Sequence, residues 1–510
     1  MALTPPSRMK VSDRVGASIA GIGVLLMYIA LMSADSFSNN LGWIFAVAPL
    51  AAAGMLLQTN SEKYKSMAAF LAISGIFGLV FHLLAPQFMQ DPNWLMFGLV
   101  YLLPFGGAVV YFTGAFGRGP AGIKNNGVMH SEATKKGGLI AWMMTIVFTG
   151  FYVVLYWYPD NLYGLVAAAD PLAHALTGNH TVAEGHVTNQ WFTYGMIYTF
   201  LVLVMGYRFI LKYRHSKYQI LRTLSVSFFQ LVAAFLLPVF LENIHDVGED
   251  GIYYHYLSYF WPLDYDALWP GHISGWEASD YGKFAVIWSI IISIVAVPTL
   301  TYFFGKRWYC SWVCGCGGLA ETAGDPFRQL SDKSLKAWRF ERISIYSVLL
   351  LIFLTTVILL VDAFAVSFLG ETTKSYITKG YGFVIASMFA GVIGTGFYPL
   401  LGSRVWCRFG CPQAAILGFF QKYFSRFRIT TNGAQCISCG NCSTYCEMGI
   451  DVKWYAQRGQ NIVRASCVGC GVCSSVCPRG VLNLENGPTD GRINDLNPIS
   501  ISVEEIKVNS

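Results

Sequence analysis

The sequence predicts a polytopic α-helical membrane protein with about ten transmembrane helices and a small cysteine-rich α+β domain at its C-terminal end. Of the 510 residues, 54% are hydrophobic and 13% are charged, whereas a typical soluble domain carries about 25% charged residues. Apolar stretches of the roughly 20 residues that a membrane span needs recur up to residue 402. All 13 cysteines lie between Cys310 and Cys477. This concentration indicates metal chemistry in a reducing compartment, because secreted disulfide proteins spread their cysteines through the fold.

Ten stretches have the length and apolar composition of a membrane span. They lie near residues 15–33, 40–57, 66–84, 95–116, 138–158, 192–212, 223–242, 284–304, 343–368 and 381–402. The first is too long for a signal peptide and lacks a convincing cleavage site, so we expect it to be retained. A count that is wrong by one pair of helices is the alternative.

The loops between these stretches alternate in basic charge. Lysine and arginine are frequent in residues 1–14, 58–65, 117–137, 208–222 and 305–342. They are absent from residues 85–94, 159–191 and 243–282, and the loop 369–380 is a mild exception. Because cytoplasmic loops carry the excess of Lys and Arg, we expect a multi-pass protein of the bacterial inner membrane with both termini and every cysteine on the cytoplasmic side. The sequence has none of the blocks of like charge that would indicate a nucleic-acid partner.

The C-terminal region contains one cysteine pattern twice. Residues 436–446 and 467–477 both follow C-x2-C-x2-C-x3-C, the run of bacterial ferredoxins, in which the fourth cysteine ligates the other cluster. The expected [4Fe–4S] ligands are Cys436, Cys439, Cys442 and Cys477 for one cluster, and Cys467, Cys470, Cys473 and Cys446 for the other. Pro478 follows the second run, whereas Glu447 follows the first. A zinc site or a disulfide framework is the alternative, but neither explains two such runs.

Two shorter cysteine pairs precede these runs, each directly after a predicted span. Cys310 and Cys314 form one pair, and Cys407 and Cys411 form the other. Cysteines at i and i+4 share one face of a helix, so two facing pairs would present four thiolates, enough for a third iron–sulfur cluster. A dithiol, a transient metal site and plain buried cysteines are the alternatives. Cys316 would be a spare ligand or a bystander.

Each of these pairs belongs to a weak internal repeat. A predicted span is followed by a basic aromatic step, then by C-x3-C, and then by a segment that mixes apolar and basic residues. In the second copy, residues 414–428 have the composition of an amphipathic helix lying in the membrane interface.

Three ionisable residues are candidates for a quinone site on the outer side. Glu242 and His245 stand at the outer end of the seventh predicted span, and His82 stands near the outer end of the third. Ionisable residues at membrane depth are functional candidates, and a quinol headgroup needs proton acceptors as it gives up electrons. The alternative is an interfacial cap, because residues 243–282 are rich in Tyr and Trp, which are typical of the membrane–water interface.

The chain divides into four segments. We expect an N-terminal membrane module of about seven helices over residues 1–283 and a membrane core with both C-x3-C motifs and interfacial helices over 284–428. A cytoplasmic ferredoxin domain would cover 429–485, and a tail would cover 486–510.

These motifs carry a family resemblance. Two C-x3-C motifs at helix ends, followed by a double ferredoxin run, resemble the membrane polyferredoxins of the NapH/NosR/FixG (CcoG) type over roughly residues 284–482. The resemblance implies electron transfer at the cytoplasmic membrane, commonly between quinol and a respiratory enzyme, and in one branch copper reduction during oxidase assembly. The chain departs from the family pattern at Cys314-Gly315, where the family has Cys-Pro, and its eight predicted helices before residue 305 exceed those of the NapH type.

We therefore expect a membrane-bound iron–sulfur electron-transfer protein, embedded in lipid and associated with respiratory or redox subunits. It would pass electrons between a cytoplasmic donor or the quinol pool and a respiratory partner, through two clusters or through three if the C-x3-C pairs hold one. The alternatives are an assembly or structural subunit of a respiratory complex, and a metalloreductase. Four basic residues would attract an acidic donor such as flavodoxin, or are ordinary solvated charges: Lys453, Arg458, Arg464 and Arg479.

Overall fold

The computed structural model describes residues 94–117, 139–177, 189–244, 260–263, 287–364, 369–432 and 435–486. The first three predicted spans lie outside these residues, as does the tail after residue 486.

Six helices of the described residues are long and apolar enough to cross a membrane. They are Trp94–Gly114, Gln190–Lys212, Lys217–Phe240, Ile287–Phe304, Leu335–Asp362 and Thr372–Ile393. A shorter apolar helix, Met144–Trp157, lies within the predicted span 138–158. The described residues thus support six spans, and the predicted total of ten is not confirmed.

The first half of the chain is built from long helices, numbered here in chain order. Helix α1 (94–117) joins Trp94–Phe97, the π-helical Gly98–Leu102 and Leu103–Gly117. Helix α2 is Leu139–Trp157, and α3, Tyr163–Thr177, follows the 3-10 helix Pro159–Leu162. Helix α4 is Gln190–Lys212, and α5 (217–244) joins Lys217–Phe228, the π-helical Phe229–Leu236 and Leu237–Ile244. Helix α6 is Ile287–Phe304, with a π-helical stretch at Ile292–Ala296.

The second half alternates short helices with two long ones. Helix α7 is Arg307–Cys310, α8 is Gly315–Thr322, a 3-10 helix covers Asp325–Leu330, and α9 is Leu335–Phe364. Helix α10 (371–393) joins Glu371–Tyr381 and the π-helical Gly382–Ile393. Helices α11, α12 and α13 are Tyr398–Leu401, Val405–Phe409 and Pro412–Tyr423. The ferredoxin part contains β1, Phe427–Thr431; α14, Asn441–Thr444; α15, Val452–Gln457; α16, Val472–Ser475; and β2, Leu482–Asn486.

Two long helices begin earlier than their hydropathy predicts. Helix α9 starts at Leu335 rather than near residue 343, and α10 starts at Glu371 rather than near residue 381. Their first turns carry charged and polar residues, which a hydropathy window excludes from a span although they are compatible with a helix. Helix α10 also ends at Ile393 rather than near residue 402, because the chain turns at Gly394, where an added Cβ would clash with the carbonyl oxygen of Ala390.

The described residues form two compact units that interleave along the chain. The first unit contains α1 to α5, residues 312–330 with α8, and residues 369–406 with α10 and α11. Its core lies among α1 to α5, where the Tyr101 hydroxyl donates to the carbonyl oxygen of Leu165 at 2.6 Å and the rings of Phe192 and Phe235 pack together.

The second unit contains α6, α7, α9, α13 and the ferredoxin part. Helix α13 packs against both α6 and α9. Strands β1 and β2 pair antiparallel, with Phe427 opposite Asn486 and Thr431 opposite Leu482. The units do not follow the predicted boundaries at residues 283 and 428, since two long apolar helices group with the ferredoxin part.

Candidate iron–sulfur centres

The first predicted ligand set surrounds a cavity at one end of the ferredoxin part. Cys436, Cys439, Cys442 and Cys477 line this cavity. Three of them come from the loop and first turn around α14, and Cys477 follows α16. Three cysteines of the first run and the last cysteine of the second run thus lie at one site, as expected for runs that exchange their fourth ligand. We call this cavity site 1.

The second predicted set surrounds a separate cavity. Cys446, Cys467, Cys470 and Cys473 line this cavity, which we call site 2. Glu447, which follows the first run in place of proline, also lines it and is fully buried. Replacing the proline of the motif therefore places a carboxyl group beside site 2 and removes no cysteine.

The composition of both sites fits an iron–sulfur cube. Within the described ranges, no group of three or more His, Cys, Asp or Glu side chains is arranged to hold a single metal ion. Each site instead brings four cysteines to the lining of one pocket. Four thiolates around such a space are the ligand set of a [4Fe–4S] cluster, so the residues present fit that group.

Glycines with positive φ shape both ligand loops. Gly440, at φ 78°, precedes α14, and Gly471, at φ 72°, precedes α16. This left-handed conformation costs glycine little, and it lets a loop that runs past two cysteines turn directly into a one-turn helix that carries the third. The two halves of the ferredoxin part therefore repeat in conformation as well as in sequence.

The fourth cysteine of each run accepts an equivalent backbone hydrogen bond. The amide of Ile450 donates to Cys446 Sγ at 3.4 Å, and the amide of Val481 donates to Cys477 Sγ at 3.4 Å. Hydrogen bonds to ligating sulfurs stabilise the thiolate and raise the reduction potential of a bound cluster. The sulfur atoms of Cys446 and Cys477 are thus stabilised in the same way at the two sites.

Burial disfavours the thiolate form of four of these cysteines. It raises the pKa of the Cys467 and Cys442 thiols to about 11 and raises those of Cys446 and Cys473 as well. Because the ligand form of cysteine is the thiolate, cluster insertion must release protons from these groups.

Site 2 is fastened to residues at the ends of the apolar helices. In the second unit, Ser311 donates its hydroxyl to the carbonyl oxygen of Val468 at 2.8 Å. Gln421 of α13 donates to the carbonyl oxygens of Cys467 at 2.6 Å and Arg464 at 2.7 Å, while its own oxygen accepts from the amide of Lys306 at 2.8 Å. The backbone around Cys467 is therefore held by α13 and by the segment that follows α6.

A second contact holds the other loop of site 2. Ser331 donates its hydroxyl to the carbonyl oxygen of Glu447 at 2.7 Å. Arg408 forms a buried ion pair with Glu341 at 2.7 Å and donates to the carbonyl oxygen of Asp332 at 2.7 Å. An added Cβ at Gly449 would clash with the Arg408 guanidinium, so the loop after Cys446 packs directly on this ion pair.

The two C-x3-C motifs share one local geometry. Cys310 closes the short helix α7, and Cys314 is the extended residue before α8, at φ −64° and ψ 124°. Cys407 likewise lies in the short helix α12, and Cys411, at φ −78° and ψ 113°, precedes α13. Each motif follows a glycine with positive φ, Gly305 or Gly402. The internal repeat predicted from the sequence is therefore present in the backbone.

This geometry corrects one expectation. The cysteines of each pair were predicted to share a helix face at i and i+4, but the helix ends between them. Cys310, Cys407 and Cys411 are buried and belong to the second unit, and the half-buried Cys314 belongs to the first. Their assignment as ligands of a third cluster remains a prediction.

The segment after Cys310 enters the helical bundle of the first unit and returns. At its entry, Trp312 donates its indole N–H to the Tyr218 hydroxyl at 3.3 Å, and its carbonyl oxygen accepts from Ser225 at 2.9 Å. At its tip, an added Cβ on Gly315 would clash with the side-chain oxygen of Gln230. Because helices rise 1.5 Å per residue, the tip lies about 20 Å along α5 from Lys217.

Helix α8 forms the returning limb of this re-entrant segment. Its Gly318 lies against Val226 and Val202, and its Thr322 lies near Gly206 of α4. An added Cβ at Gly318 would clash with Val226, so a glycine is needed for this close approach. The N-terminal end of α8, which follows Cys314 directly, therefore lies between α4 and α5, while its C-terminal end lies near the bundle edge.

A buried carboxylate fastens the end of the re-entrant segment. Asp325 accepts from Arg208 at 2.8 Å and Lys212 at 2.7 Å, and it lies 3.3 Å from Arg328; all four side chains are buried. Burial alone would raise the pKa of Asp325, but the three cations outweigh it and hold the pKa of that carboxyl well below its usual range. The carboxylate is thus ionised at every physiological pH.

A second buried carboxylate lies one turn earlier. Glu321 of α8 pairs with Arg222 of α5 and with Arg404, the latter at 2.5 Å. Arg222 also lies over the ring of Phe209. Together with Asp325, Glu321 ties the segment to α4, α5 and the residues before α12.

Sequence reasoning missed this arrangement. Arg208, Lys212 and Arg222 contributed to the basic cytoplasmic loop predicted from charge, yet they are fully buried. The available signal was Glu321 and Asp325, two acidic residues close together after a C-x3-C motif in an otherwise weakly charged region. Their partners lie about 100 residues earlier, so spacing alone could not pair them.

The predicted quinone-site residues receive no structural description. His82 and His245 lie outside the described residues, and Glu242 belongs to α5 but its side chain is not described. The quinone site therefore remains a prediction.

Comparison with known protein families matches the cysteine-bearing regions. A 4Fe-4S binding domain matches twice, at residues 286–334 and 381–431, so each match contains one C-x3-C motif. A 4Fe-4S dicluster domain matches residues 435–482, which contain both ferredoxin runs. The first family thus repeats where the chain itself repeats.

Two curated relatives are also iron–sulfur or electron-transport proteins by name. The chain is 30% identical over 170 residues to YccM of Escherichia coli (strain K12), a candidate electron transport protein, covering 32% of this chain and 46% of that protein. It is 25% identical over 158 residues to the methylamine utilization ferredoxin-type protein MauN of Methylobacillus flagellatus, covering 31% of this chain and 53% of that protein. The chain thus spans about half the length of these relatives. No solved structure shows a significant match.

The cysteine cavities, the domain matches and the relatives agree. The chain carries 4Fe–4S ferredoxin domains together with helices apolar enough to cross a membrane, and its resemblance to the membrane polyferredoxins is confirmed.

Proposed function

We propose that this iron–sulfur electron-transfer protein holds one [4Fe–4S] cluster in site 1 and one in site 2, and passes electrons between a cytoplasmic donor or the quinol pool and a respiratory partner. The observation that carries the proposal is the pair of cavities, each lined by one complete predicted ligand set. A [4Fe–4S] cluster supplies reversible one-electron transfer at a potential that its surroundings set.

The surrounding residues support two different roles for the sites. At site 2, Ser311, Gln421 and Ser331 fix the ligand loops to the ends of the apolar helices. This fixed contact suits exchange with the membrane side. At site 1, Cys439 and its neighbour Ile437 are exposed to solvent, which suits exchange with a cytoplasmic partner. The inner-membrane location with cytoplasmic termini is supported by the alternation of basic loops.

The C-x3-C pairs are proposed as the place of a third cluster. The double match of a 4Fe-4S binding domain to these two regions supports this assignment. Cys310, Cys314, Cys407 and Cys411 would supply the thiolates.

Iron and sulfide quantitation with EPR on the purified protein tests these assignments. Because each cube holds four irons, two clusters give about eight irons per chain and a third gives more. Cys439→Ala should remove the site 1 signal and Cys470→Ala the site 2 signal. Replacing Cys407 and Cys411 together should remove only the additional iron. Finding zinc or no iron in the wild-type protein would reject the central proposal.

An assembly or structural subunit is the second candidate function. The buried hydrogen bonds that fix site 2 to the helix ends would serve this role equally well. The two functions separate by redox titration: clusters that neither quinol nor any cytoplasmic donor reduces would favour the structural role. A metalloreductase would instead show metal-dependent turnover that is lost on replacing Cys407 and Cys411 while the ferredoxin clusters remain.

A further inference from the structure

We infer that site 1 opens onto a docking patch for a small, acidic, one-electron carrier protein, formed by Ile437, Lys453, Trp454, Arg458 and Arg479. The inference rests on the proposed electron-transfer function and names the partner class that the site takes. It follows from three features of the second unit: the exposure of site 1, the composition of its rim, and the contrast with site 2.

Site 1 is accessible where site 2 is enclosed. The loop of site 1 from Ile437 to Cys439 is exposed, with Ile437 at 58%. On the opposite rim, Pro478 and Arg479 are exposed as well. At site 2, by contrast, Cys467 and Cys473 are buried and the loop backbone is covered by α13 and the segment after α6. A protein carrier in solution can therefore approach site 1 closely.

The rim of site 1 is basic. Lys453 and Arg479 both line the cavity, and the carbon stem of Lys453 lies over the ligand loop at Gly440. Arg458 lies on the same helix, α15, and stacks over Trp454 at 4.2 Å. Asp451, which precedes α15, accepts a hydrogen bond from the Ser443 hydroxyl at 2.7 Å. The rim therefore presents Lys453 and Arg479 to an approaching partner, with Arg458 further along α15.

The structure separates these cations from the fourth that the sequence grouped with them. Arg464 stacks on Trp338 of α9 at 4.8 Å and its carbonyl oxygen accepts from Gln421. Arg464 thus helps to attach site 2 to α9 and α13. The cations that remain available to a partner are those near site 1.

The patch also contains two exposed apolar side chains. Trp454, under the Arg458 guanidinium, is 43% exposed, and Ile437, which lines site 1, is 58% exposed. Transient redox interfaces are small, commonly below about 1,200 Å², and a few apolar or aromatic anchors within a charged rim give such interfaces their affinity. Complementary charge mainly raises the association rate. A partner that fits presents acidic groups around its own redox centre.

The proposed reaction is the transfer of a single electron. The reduced carrier loses one electron, and the centre held by Cys436, Cys439, Cys442 and Cys477 gains it. No bond forms or breaks and no proton needs to move. The docking patch only has to hold the two centres close together and then release the carrier.

The test uses the purified full-length protein and reduced flavodoxin as the acidic carrier. Stopped-flow measurement gives the bimolecular rate constant of cluster reduction at low and high salt. We expect the Lys453→Glu, Arg479→Glu double variant to lose at least tenfold in this rate constant at low salt, since steering contributes roughly 10- to 1,000-fold. The salt dependence of the wild-type protein should largely disappear with it. Trp454→Ala should lower the rate constant at all salt concentrations.

Matched controls make the result specific. Lys336→Glu makes a comparable single charge reversal at an exposed position at the start of α9 and should leave the rate constant unchanged. The radical cation of methyl viologen should reduce the double variant as fast as the wild-type protein or faster, and iron content should stay equal. These readouts separate docking from cluster loss.

Each contrary outcome has a defined meaning. Equal rates with flavodoxin for the wild-type protein and the double variant would overturn the docking patch while leaving the electron-transfer function intact. Failure of viologen to reduce the wild-type clusters would instead overturn the function. If deleting the acidic tail 487–510 raises the rate constant, the tail is the occupant of the patch. If anionic-lipid nanodiscs lower the wild-type rate constant to that of the double variant, lipid is the occupant.

Discussion

Removing the Asp325 carboxylate should loosen the re-entrant segment. In Asp325→Asn the side chain keeps its shape but loses the charge that faces Arg208, Lys212 and Arg328 at 2.7–3.3 Å. Breaking a buried ion pair by removing one partner costs about 3–5 kcal/mol. At about 2–4 °C per kcal/mol for domains of 150–250 residues, we expect the unfolding midpoint to fall by roughly 6–20 °C.

The assay is thermal unfolding of the detergent-purified protein, followed by tryptophan fluorescence. Asp160→Asn is the matched control, because Asp160 is an exposed aspartate of the same unit, and surface substitutions usually change stability by less than about 0.5 kcal/mol. The site 1 and site 2 EPR signals should persist, since Asp325 belongs to the other unit.

The pH dependence has a definite sign. A carboxyl whose folded pKa is depressed contributes stability above its unfolded pKa of about 3.9 and loses it as pH falls towards the folded value. The folded pKa of Asp325 lies well below its usual range, so the gap between wild type and Asp325→Asn should not close between about pH 8 and pH 5. A midpoint shift no larger than that of Asp160→Asn, or a gap that closes within this range, would refute the reasoning.

Three further perturbations follow from the same contacts. Glu321→Gln should also lower the free energy of unfolding by about 3–5 kcal/mol, because it leaves Arg222 and Arg404 without their carboxylate. The thermal unfolding midpoint, compared with that of Asp160→Asn, measures this loss. Gln421→Leu removes three buried hydrogen bonds around site 2 at about 1 kcal/mol each. Iron should therefore be lost to a chelator faster from site 2 than from site 1, and Gln460→Leu, at an exposed position, is the control. Gly402→Ala places a Cβ at φ 93°, which costs about 1–2 kcal/mol, and it should lower the midpoint more than Gly382→Ala in the open helix α10, where an added Cβ meets nothing.

The grouping of the cysteines around site 1 and site 2 could be predicted from the sequence. Three of the four cysteines in each set fall within seven residues. A loop this short has few conformations in which the three sulfurs face the same point. The exchanged fourth ligand, Cys477 or Cys446, follows from the pattern of such runs. Local geometry thus determines most of these two sites.

The C-x3-C pairs show where spacing misleads. An i, i+4 separation predicts a shared helix face only if the helix continues, and at Cys314 and Cys411 it does not. Pro412 at the start of α13 was a signal for this break, since proline favours the first turn of a new helix. Cys314 precedes Gly315 instead, so its equivalent break had no such mark.

Charge patterning misleads for a related reason. The positive-inside rule counts Arg208, Lys212 and Arg222 as part of a cytoplasmic loop. It cannot show that long-range carboxylates, Glu321 and Asp325, neutralise these cations inside the fold. Contacts between residues about 100 positions apart are set by tertiary packing, which a single sequence does not encode in any local pattern.

The re-entrant segment has a consequence for biogenesis. Helices α4 and α5 leave the ribosome about 100 residues before Glu321 and Asp325, and domains generally form in the order of synthesis. Until residue 325 has been made, Arg208, Lys212 and Arg222 lack the two carboxylates that they contact in the mature fold. The N-terminal helices are therefore completed by a later part of the chain. A truncated product that ends before this segment should be recognised by membrane proteases, which would keep helical bundles without iron–sulfur domains from accumulating.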